Sequence, residues 1–393
     1  AARDDSLDGY GDDEFNFNAS SDGTPLKAGP ELQLLQARQR SRTRAYNASA
    51  AAAAAGGNDI QLPTTIDQSL INTWNFDALS LTSEEMRSYV LLMFGSLGLL
   101  RTDDAAATAT PSASLDANAA ALDGFCSTRH LWNFLIRVEG GYRANAYHNF
   151  QHAVDVTHTV YRYIVLTEPR THITPVEKFA LMVAALSHDL DHPGVNNAFL
   201  VNTKDKLATV YNDSSVLENS HIACLYTLIN TRQTRGQSVS DRKVTPPPPP
   251  RQDPTSTTTT STTTSPPPVE DDANIFAALN DALYREVRRI IIATVLHTDM
   301  SHHFKMVSQM EVFYELHSES IKANTRRVNR GIMVDCIYNK TDDRQFMLSV
   351  ILHAADISNP VKPLNTYGKW ANRVLQEFFS QGDMERDRGM PIS

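Results

Sequence analysis

The sequence predicts an all-α protein, a compact domain built from many helices, on three observations. Apolar residues recur at helical spacing through several long segments from about residue 66 onward. Helix start signals precede some of these segments, with a threonine followed three residues later by a glutamate. No convincing segment alternates apolar and polar residues between hairpin turns, as strands would. We therefore expect one helical domain over residues 66–393.

The first 65 residues are predicted to form a disordered linker. They begin acidic and rich in glycine and aspartate, and they end in the low-complexity run ASAAAAAAGG. The basic stretch 36–44 allows a second interpretation, a docking element for a membrane or a partner protein, which a truncation would test.

The helices that follow have recognisable ends. A capping box at Thr82 and Glu85 starts an apolar run, and a pair of glycines ends the segment 128–142. The clearest helix is predicted over 175–189, with Thr174 as its N-cap and a Pro-Gly pair stopping the chain at 193–194. The helical pattern returns near residue 275 and continues to the end of the chain.

Two low-complexity segments are predicted to interrupt the domain, at about residues 102–122 and 235–272. The first is rich in alanine and the second in proline and threonine, so neither offers the apolar side chains of a core. Because both fall between helices, we expect the domain to tolerate them as exposed loops.

Composition and charge narrow the classes of function. A hydrophobic fraction of 41% and a charged fraction of 21% are typical of a soluble globular protein. The net charge of −9 argues against nucleic acid as a partner but allows an anionic small substrate that local cations neutralise. The apolar run 89–100 is too short to span a membrane.

Location is predicted to be cytoplasmic. The three cysteines, Cys126, Cys224 and Cys336, are far apart and form no CxxC pair, which favours a reducing compartment. No signal peptide is recognisable, and the chain begins with alanine, so we expect an excerpt of a longer protein. A membrane tether or a regulatory domain outside it stays possible, and the sequence predicts no oligomeric state.

Histidines and aspartates suggest a metal site. On a helix, His148, His152 and Asp155 would line one face, since they are spaced four and three residues apart. The adjacent pair at 188–189 ends the next predicted helix, and Asp356 ends a later one. Imidazole and carboxylate groups from three segments suit zinc, and a bridging carboxylate would add a harder ion such as magnesium. The alternative is a set of hydrogen-bonded core histidines.

Five motifs occur together: YHNFQHAVDV, HDLDHPGVNNAFL, YNDSSVLENSH, TDMSHH and ILHAADISNP with the GDMERDRGMPIS that follows it. In this order they resemble the catalytic domain of the class I cyclic nucleotide phosphodiesterases, over residues 66–393 apart from the two insertions. The resemblance implies an all-helical enzyme of signal transduction that hydrolyses a 3′,5′-cyclic nucleotide, cAMP or cGMP, to the 5′-monophosphate. It also implies two divalent ions, zinc and magnesium, with manganese possible at the second position.

The resemblance further implies the roles of individual residues in the reaction. The zinc ligands would be His152, His188, Asp189 and Asp356, with Asp189 bridging to the second ion. That ion would be bound mostly through waters, which His192, Glu218 and Thr298 would hold. A hydroxide bridging the two ions would attack phosphorus, while His148 protonates the departing 3′ oxygen and Asp155 orients the site.

For the nucleotide pocket the resemblance implies Tyr147, Met300, Ile357, Asn359, Trp370, Val374 and Phe378. Two alternatives stay open from the residues themselves. The apolar members could belong to an ordinary helix core, and Glu218 could complete a capping box with Ser215. Among other histidines, His221, His302 and His303 are expected to be structural or solvated, although His221 could brace the site.

The sequence also departs from the family's pattern. The family's domain continues beyond GDMERDRGMPIS into helices that carry a glutamine and a phenylalanine for the purine, and this chain stops at Ser393. We therefore expect incomplete base recognition and poor hydrolysis, and the choice between cAMP and cGMP stays open. The competing hypotheses are another HD-type metallophosphohydrolase and a regulatory module without catalysis.

Overall fold

The computed structural model describes residues 66–101, 124–171, 173–230, 273–329 and 340–393. Within these ranges the regular structure is helical, apart from one isolated bridge between Leu100 and Cys126. The predicted all-α fold is therefore confirmed. The predicted linker at 1–65 and the insertions at 102–122 and 235–272 lie outside the described residues.

The described residues form eleven α-helices, supplemented by short 3₁₀ turns. The helices are α1 (Ser83–Ser96), α2 (Thr128–Gly141), α3 (Phe150–Thr171), α4 (Pro175–Ser187), α5 (Asn197–Asn202), α6 (Lys206–Val210), α7 (Val216–Asn230), α8 (Asp281–Leu296), α9 (His303–Asn329), α10 (Thr341–Asp356) and α11 (Leu364–Asp387). The 3₁₀ turns are Leu70–Asn72, Ala78–Ser80, Met300–His302 and Asn359–Val361. In the part of the chain so described, no helix is both long and apolar enough to cross a membrane.

Helix α4 is the centre of the core. All of its residues from Val176 to Ser187 are buried, and it packs mainly against α3 and α8. Its Phe179 ring stacks on Phe125 with centroids 4.7 Å apart and meets Phe94 and Phe276 edge-on. Helix α10 packs on α3 and α8 beside it. This arrangement brings the first turn of α3 and the last turns of α4 and α10 to one place.

The two predicted capping boxes are present. At α1 the Thr82 side chain accepts from the backbone N–H of Glu85, whose carboxylate accepts from the N–H of Thr82. At α4 Thr174 and Glu177 make the same pair of bonds, and Pro175 occupies the first turn. Each box satisfies backbone N–H groups that the helix itself leaves unbonded.

The predicted position of His148 on a helix face is wrong, because α3 begins at Phe150. The Asn149 side chain accepts from the backbone N–H of His152 and so caps the helix. Upstream of it, the backbone N–H groups of Tyr147 and His148 donate to Glu377 of α11 instead of entering the helix. His148 therefore lies on the turn that leads into α3.

The end of α4 also differs from the prediction. The helix stops at Ser187, so His188 and Asp189 lie in the turn that follows, well before Pro193 and Gly194. Asp191 has a φ of 63°, and its backbone N–H donates to the carbonyl of Gly141. This left-handed residue turns the chain back across the end of α2.

Candidate metal centre

Four donor residues converge where α3, α4 and α10 meet. They are His152 in the first turn of α3, His188 and Asp189 after α4, and Asp356 at the end of α10, and one ligand atom from each lies within 4.8 Å of the others. The Nε2 atom of His152 is 3.0 Å from Asp356 Oδ1 and 3.5 Å from Asp189 Oδ2. Residues from three distant segments therefore form one site, as the sequence predicts.

The tautomer of His188 suits a metal ligand. Its Nδ1 atom lies 2.9 Å from the carbonyl oxygen of Ala185, which can only accept, so Nδ1 carries the proton. In the neutral ring, the form that binds a metal ion, the Nε2 lone pair faces the two carboxylates, 3.2 Å from Asp189 Oδ2 and 3.3 Å from Asp356 Oδ1. Two imidazole nitrogens and two carboxylates are a donor set that zinc accepts. The residues present therefore fit a divalent ion.

The carboxylates of this cluster are ionised. Burial raises the pKa of Asp189, but the positive fields of His188 and His148 outweigh burial and hold it well below its usual value. Burial also raises the pKa of Asp356, and His188 together with a hydrogen bond from His152 lowers it further than burial raises it. Two negative charges on side chains that are only 13% and 20% exposed favour a nearby cation.

His148 is held by a glutamate that the sequence analysis did not identify. Its Nδ1 lies 2.6 Å from Glu377 Oε2, while Glu377 Oε1 accepts from the backbone N–H groups of Tyr147 and His148. Burial lowers the pKa of His148, but Asp189 and the Glu377 hydrogen bond raise it above its usual value. His148 is not one of the four convergent donors, and its ring centroid is 5.9 Å from that of His152.

His192 is positioned to donate a hydrogen bond. Its Nδ1 accepts from the backbone N–H of Gly194 at 3.0 Å, so the proton of the neutral ring is on Nε2. The ring stacks on His148 with centroids 3.9 Å apart. A ring whose Nε2 carries a proton can donate to a water or a carboxylate and is a poor metal ligand in that form, and the water-holding role of His192 stays a prediction.

A second group of donors surrounds Asp189 and includes His192 and His221. His221, which sequence reasoning treated as structural or bracing, donates from Nδ1 to the carbonyl of Leu190 and has Nε2 3.8 Å from Asp189 Oδ1. It is buried, and burial lowers its pKa to about 4 despite the opposing field of Asp189. No local sequence pattern distinguishes this histidine from the others.

Glu218 begins α7 close to this region. Burial raises its pKa to about 7, with Asp299 adding to the effect and a hydrogen bond from Asn197 opposing it. The alternative capping box is not formed, because the Ser215 hydroxyl donates to Asp299 instead, at 2.8 Å. Asn197 replaces it, accepting from the N–H of Leu217 and donating to Glu218.

Thr298 lies directly after α8 and is buried. Its hydroxyl donates to the carbonyl of Val295 at 2.8 Å. This bond uses the only hydroxyl proton, so the oxygen can still accept a hydrogen bond, for example from a water. The structure thus leaves the predicted water-holding role of Thr298 chemically open.

The predicted nucleotide residues divide into two groups. Tyr147, Asn359 and Trp370 lie together beside the metal cluster: the Tyr147 hydroxyl donates to Asn359 Oδ1 at 2.6 Å, and its ring centroid is 5.6 Å from that of Trp370. Trp370 is fully buried, as the alternative core interpretation expects. The other four predicted residues are exposed or partly exposed: Met300, Ile357, Val374 and Phe378.

Asp155 contacts Lys362 and Asn359, and its predicted part in orienting the site stays a prediction. Its carboxylate accepts from Lys362 at 2.6 Å and from the Asn359 amide at 3.1 Å. Lys362 and Glu377 are the two residues at the site that sequence reasoning missed. Each lies more than 200 positions from its partner, where no local pattern could have indicated it.

Comparison with known proteins gives a consistent result. The family model described as 3′,5′-cyclic nucleotide phosphodiesterase matches residues 147–243 and 257–393. The 3′,5′-cyclic-AMP phosphodiesterase 4C of Rattus norvegicus is 33% identical over 265 residues, 67% of this chain and 40% of that protein. The 3′,5′-cyclic-nucleotide phosphodiesterase regA of Dictyostelium discoideum is 30% identical over 264 residues, 67% of this chain and 26% of that protein.

Solved structures agree with these matches. The phosphodiesterase domain of the RhoPDE fusion protein from the choanoflagellate Salpingoeca rosetta has a TM-score of 0.59 and 28% identity, covering 82% of this chain and 78% of that one. A second structure of the rhodopsin phosphodiesterase domain from the same organism has a TM-score of 0.60 and 27% identity. The match covers 84% of this chain and 78% of that one.

The chain spans only two fifths or less of the curated relatives it matches. The family model nevertheless matches more than half of the chain, and its match includes His148, the four convergent donors and Glu377. The chain belongs to the 3′,5′-cyclic nucleotide phosphodiesterase family.

Proposed function

We propose that this chain hydrolyses a 3′,5′-cyclic nucleotide to the nucleoside 5′-monophosphate. The observation that carries the proposal is the convergence of His152, His188, Asp189 and Asp356 within 4.8 Å, beside a histidine that is not part of the set. An ion held by the four donors could activate a water as the nucleophile, and a proton donor next to it could protonate the leaving oxygen of a phosphodiester. The family membership supports the cyclic nucleotide as substrate.

We propose zinc for the ion among these four residues and magnesium, or manganese, for a second ion beside Asp189. The mixed nitrogen and oxygen donors support zinc. Asp189 has neighbours on its other side in His192 and His221, which supports a second ion there. When bound, the ions would lower the pKa of a coordinated water and neutralise charge on the phosphoryl group.

His148 is the proposed general acid. Its Nδ1 is hydrogen-bonded to Glu377, so Nε2 is the atom that would donate a proton to the departing 3′ oxygen. A raised pKa keeps the proton on the ring near neutral pH, which suits an acid. Glu377 would act by holding the ring and stabilising its charged form, as it also binds the backbone on which the ring is mounted.

Asp189 would contribute in two ways. One of its oxygens faces His152 and His188, and the other faces His221, so one carboxylate can contact ions on both sides. The phosphate of the substrate would lie between the ions and His148. We also propose a cytoplasmic location, supported by the free thiols of Cys126 and Cys224.

The test is hydrolysis of cAMP, cGMP and the non-cyclic diester bis(p-nitrophenyl) phosphate, with zinc and magnesium supplied and bound metal counted by mass spectrometry. We expect turnover of a cyclic nucleotide. His148→Ala should lose about 10²- to 10⁴-fold in kcat while binding the same amount of metal. Glu377→Gln should lose less in kcat. It should also shift the basic limb of the pH profile, where the general acid loses its proton, because the ring loses its negative partner.

His317→Ala is the matched control, since His317 lies on α9 against Phe313 and belongs to none of the donor groups among the described residues. Turnover of the non-cyclic diester alone would favour another metallophosphohydrolase. Metal binding without any turnover would favour a regulatory module. Unchanged kcat in His148→Ala would refute the acid role.

A further inference from the structure

We propose that His303 and His353 are positioning residues for the second ion: bonded to each other, they hold the turn that carries Thr298 and so set how tightly that ion binds. The inference rests on the proposed function, because it concerns the ion that the proposed function puts beside Asp189. Neither histidine belongs to a donor group among the described residues, so each would act through the turn rather than on the ion itself.

The turn that joins α8 to α9 carries Thr298 and Asp299, both of which are buried. One side of the turn is tied to the start of α7, where the Ser215 hydroxyl donates to the Asp299 carboxylate at 2.8 Å. Burial raises the pKa of Glu218, and the charges of Asp299 and Asp189 both add to the effect. Because both charges act on one side chain, the turn lies near the carboxylate beside which the second ion is proposed.

His353 ties the other side of the turn to α10. Its ring is 4% exposed and lies three residues before Asp356, one of the four convergent donors. The Nδ1 atom lies 3.0 Å from the backbone carbonyl oxygen of His297, the residue directly before Thr298. A carbonyl oxygen can only accept, so Nδ1 carries the proton and donates it. The position of Thr298 therefore depends on the helix that carries Asp356.

His303 adds a bond from the far end of the turn. Its Nδ1 lies 2.9 Å from Nε2 of His353. Burial lowers the pKa of His353, against the field of Asp356 and together with that of His303, so the ring is neutral near pH 7. With its proton on Nδ1, the neutral ring can only accept at Nε2, and the Nδ1–H of His303 donates to it. One imidazole thus binds both the first residue of α9 and the residue before Thr298.

Thr298 can serve the ion only while its hydroxyl stays in place. The hydroxyl donates to the carbonyl of Val295 at 2.8 Å, which leaves the oxygen as an acceptor for a water. Magnesium requires near-octahedral geometry, so the direction of each water that it binds is fixed. A turn free to move would lose the bond to such a water, and loss of an outer partner of this kind costs about 10- to 100-fold in metal affinity.

The test measures binding of Mn²⁺, which can occupy the proposed second site and is paramagnetic. Protein stripped with EDTA is reloaded with an equimolar amount of zinc and titrated with Mn²⁺, while electron paramagnetic resonance counts the free ion. His303→Ala should raise the Mn²⁺ dissociation constant about tenfold, with bound zinc unchanged by mass spectrometry. His303→Asn should stay within about twofold of wild type, because the asparagine N–H can replace the ring Nδ1–H.

His302→Ala is the matched control, because it removes another imidazole from the same turn. The His302 ring lies beside that of His297, with centroids 5.9 Å apart, and the variant should bind Mn²⁺ as wild type does. His353→Phe keeps a ring and loses both bonds, so it should raise the dissociation constant by about tenfold or more. If His353→Phe does not fold by circular dichroism, the variants of His302 and His303 decide the outcome.

Catalysis gives a second measurement of the same effect. In His303→Ala, the Mg²⁺ concentration that gives half-maximal hydrolysis should rise about tenfold, while kcat at saturating Mg²⁺ stays within about twofold of wild type. A merely structural role would lower the bound zinc and kcat together and leave the Mg²⁺ requirement of the folded protein unchanged. That pattern would overturn the inference.

Hydrolysis and ion binding can fail independently. The expected order of Mn²⁺ affinities without hydrolysis of any cyclic nucleotide would support the inference and contradict the proposed function. Hydrolysis by a wild type whose Mn²⁺ affinity is unchanged in His303→Ala would overturn the inference and leave the hydrolase intact. An equal loss of affinity in His302→Ala, or in His303→Asn, would also overturn it, because the loss would not follow the bond to His353.

Discussion

At the scale of single residues, the site depends on a few side chains that sequence patterns do not mark. The types and the three-segment origin of the metal donors could be predicted, because imidazole and carboxylate groups recur in short motifs. Glu377 could not, since a glutamate on an amphipathic helix normally faces water, and its partner His148 lies 229 positions away. Lys362 is hidden for the same reason, as lysine is almost never buried without a partner.

His158 provides a residue-scale test of the core beside the site. The ring is 1% exposed, stacks on Phe76 with centroids 4.3 Å apart, and lies near Lys362 and Arg162. Burial, together with the positive fields of the two cations, lowers its pKa from 6.5 to about 3. The folded protein therefore keeps this ring neutral where the unfolded chain binds a proton.

The neutral buried ring of His158 makes the protein less stable as the pH falls. As pH falls below about 6.5 the unfolded state gains the proton first, so stability falls with pH until about 3, at about 1.4 kcal/mol per pH unit. His158→Phe keeps the stack on Phe76 and removes the titration. Between pH 7 and pH 5 we expect wild type to lose about 2 kcal/mol more than the variant in urea unfolding. Equal losses in the two proteins would contradict the assignment of a neutral buried ring.

At the scale of helices, local chemistry predicts where an element starts when the bonds that start it are local. The capping boxes at Thr82 and Thr174 join residues three apart, and both were predictable. The start of α3 was not, because the N–H groups of Tyr147 and His148 bond to Glu377, far along the chain. Tyr147 and His148 belong to a helix-favouring pattern, but they stay outside α3 because their backbone N–H groups are bound to Glu377.

The two capping boxes differ in one respect that can be measured. Glu85 is partly exposed and its carboxylate bonds to Thr82, whereas Glu177 also accepts two hydrogen bonds from Arg344. The contact between Glu177 and Arg344 joins α4 to α10. Helix α4 precedes His188, and α10 carries Asp356. Removing a cap costs about 1 kcal/mol, and a lost hydrogen bond to a charged group costs about 1.5–3 kcal/mol more.

We therefore expect Glu177→Ala to lower the free energy of unfolding by about 2–4 kcal/mol and Glu85→Ala by about 1 kcal/mol. Urea denaturation monitored by circular dichroism measures both, and Arg344→Ala should account for most of the difference. Similar losses for Glu177→Ala and Glu85→Ala would mean that the link between α4 and α10 contributes little. The fold could then hold His188 and Asp356 together without it.

At the scale of the whole molecule, the metal centre ties together segments that are far apart in the chain. His152, His188 and Asp356 span more than 200 positions, and their helices form the core around α4. With no ion bound, the buried carboxylates of Asp189 and Asp356 depend on protonated histidines for neutralisation. An ion that binds only the folded state should consequently stabilise the entire domain.

Metal removal tests this coupling. Zinc at about 100 times its dissociation constant should add about 2.7 kcal/mol to the free energy of unfolding, and EDTA should remove that gain. His188→Ala should unfold at the same temperature with zinc and with EDTA, since it lacks a donor, while His317→Ala should keep the wild-type difference. Calorimetric scans of the three proteins, with zinc and with EDTA, measure the difference in unfolding temperature. A metal-dependent rise in melting temperature that survives in His188→Ala would show that zinc stabilises the fold from somewhere other than the convergent donors.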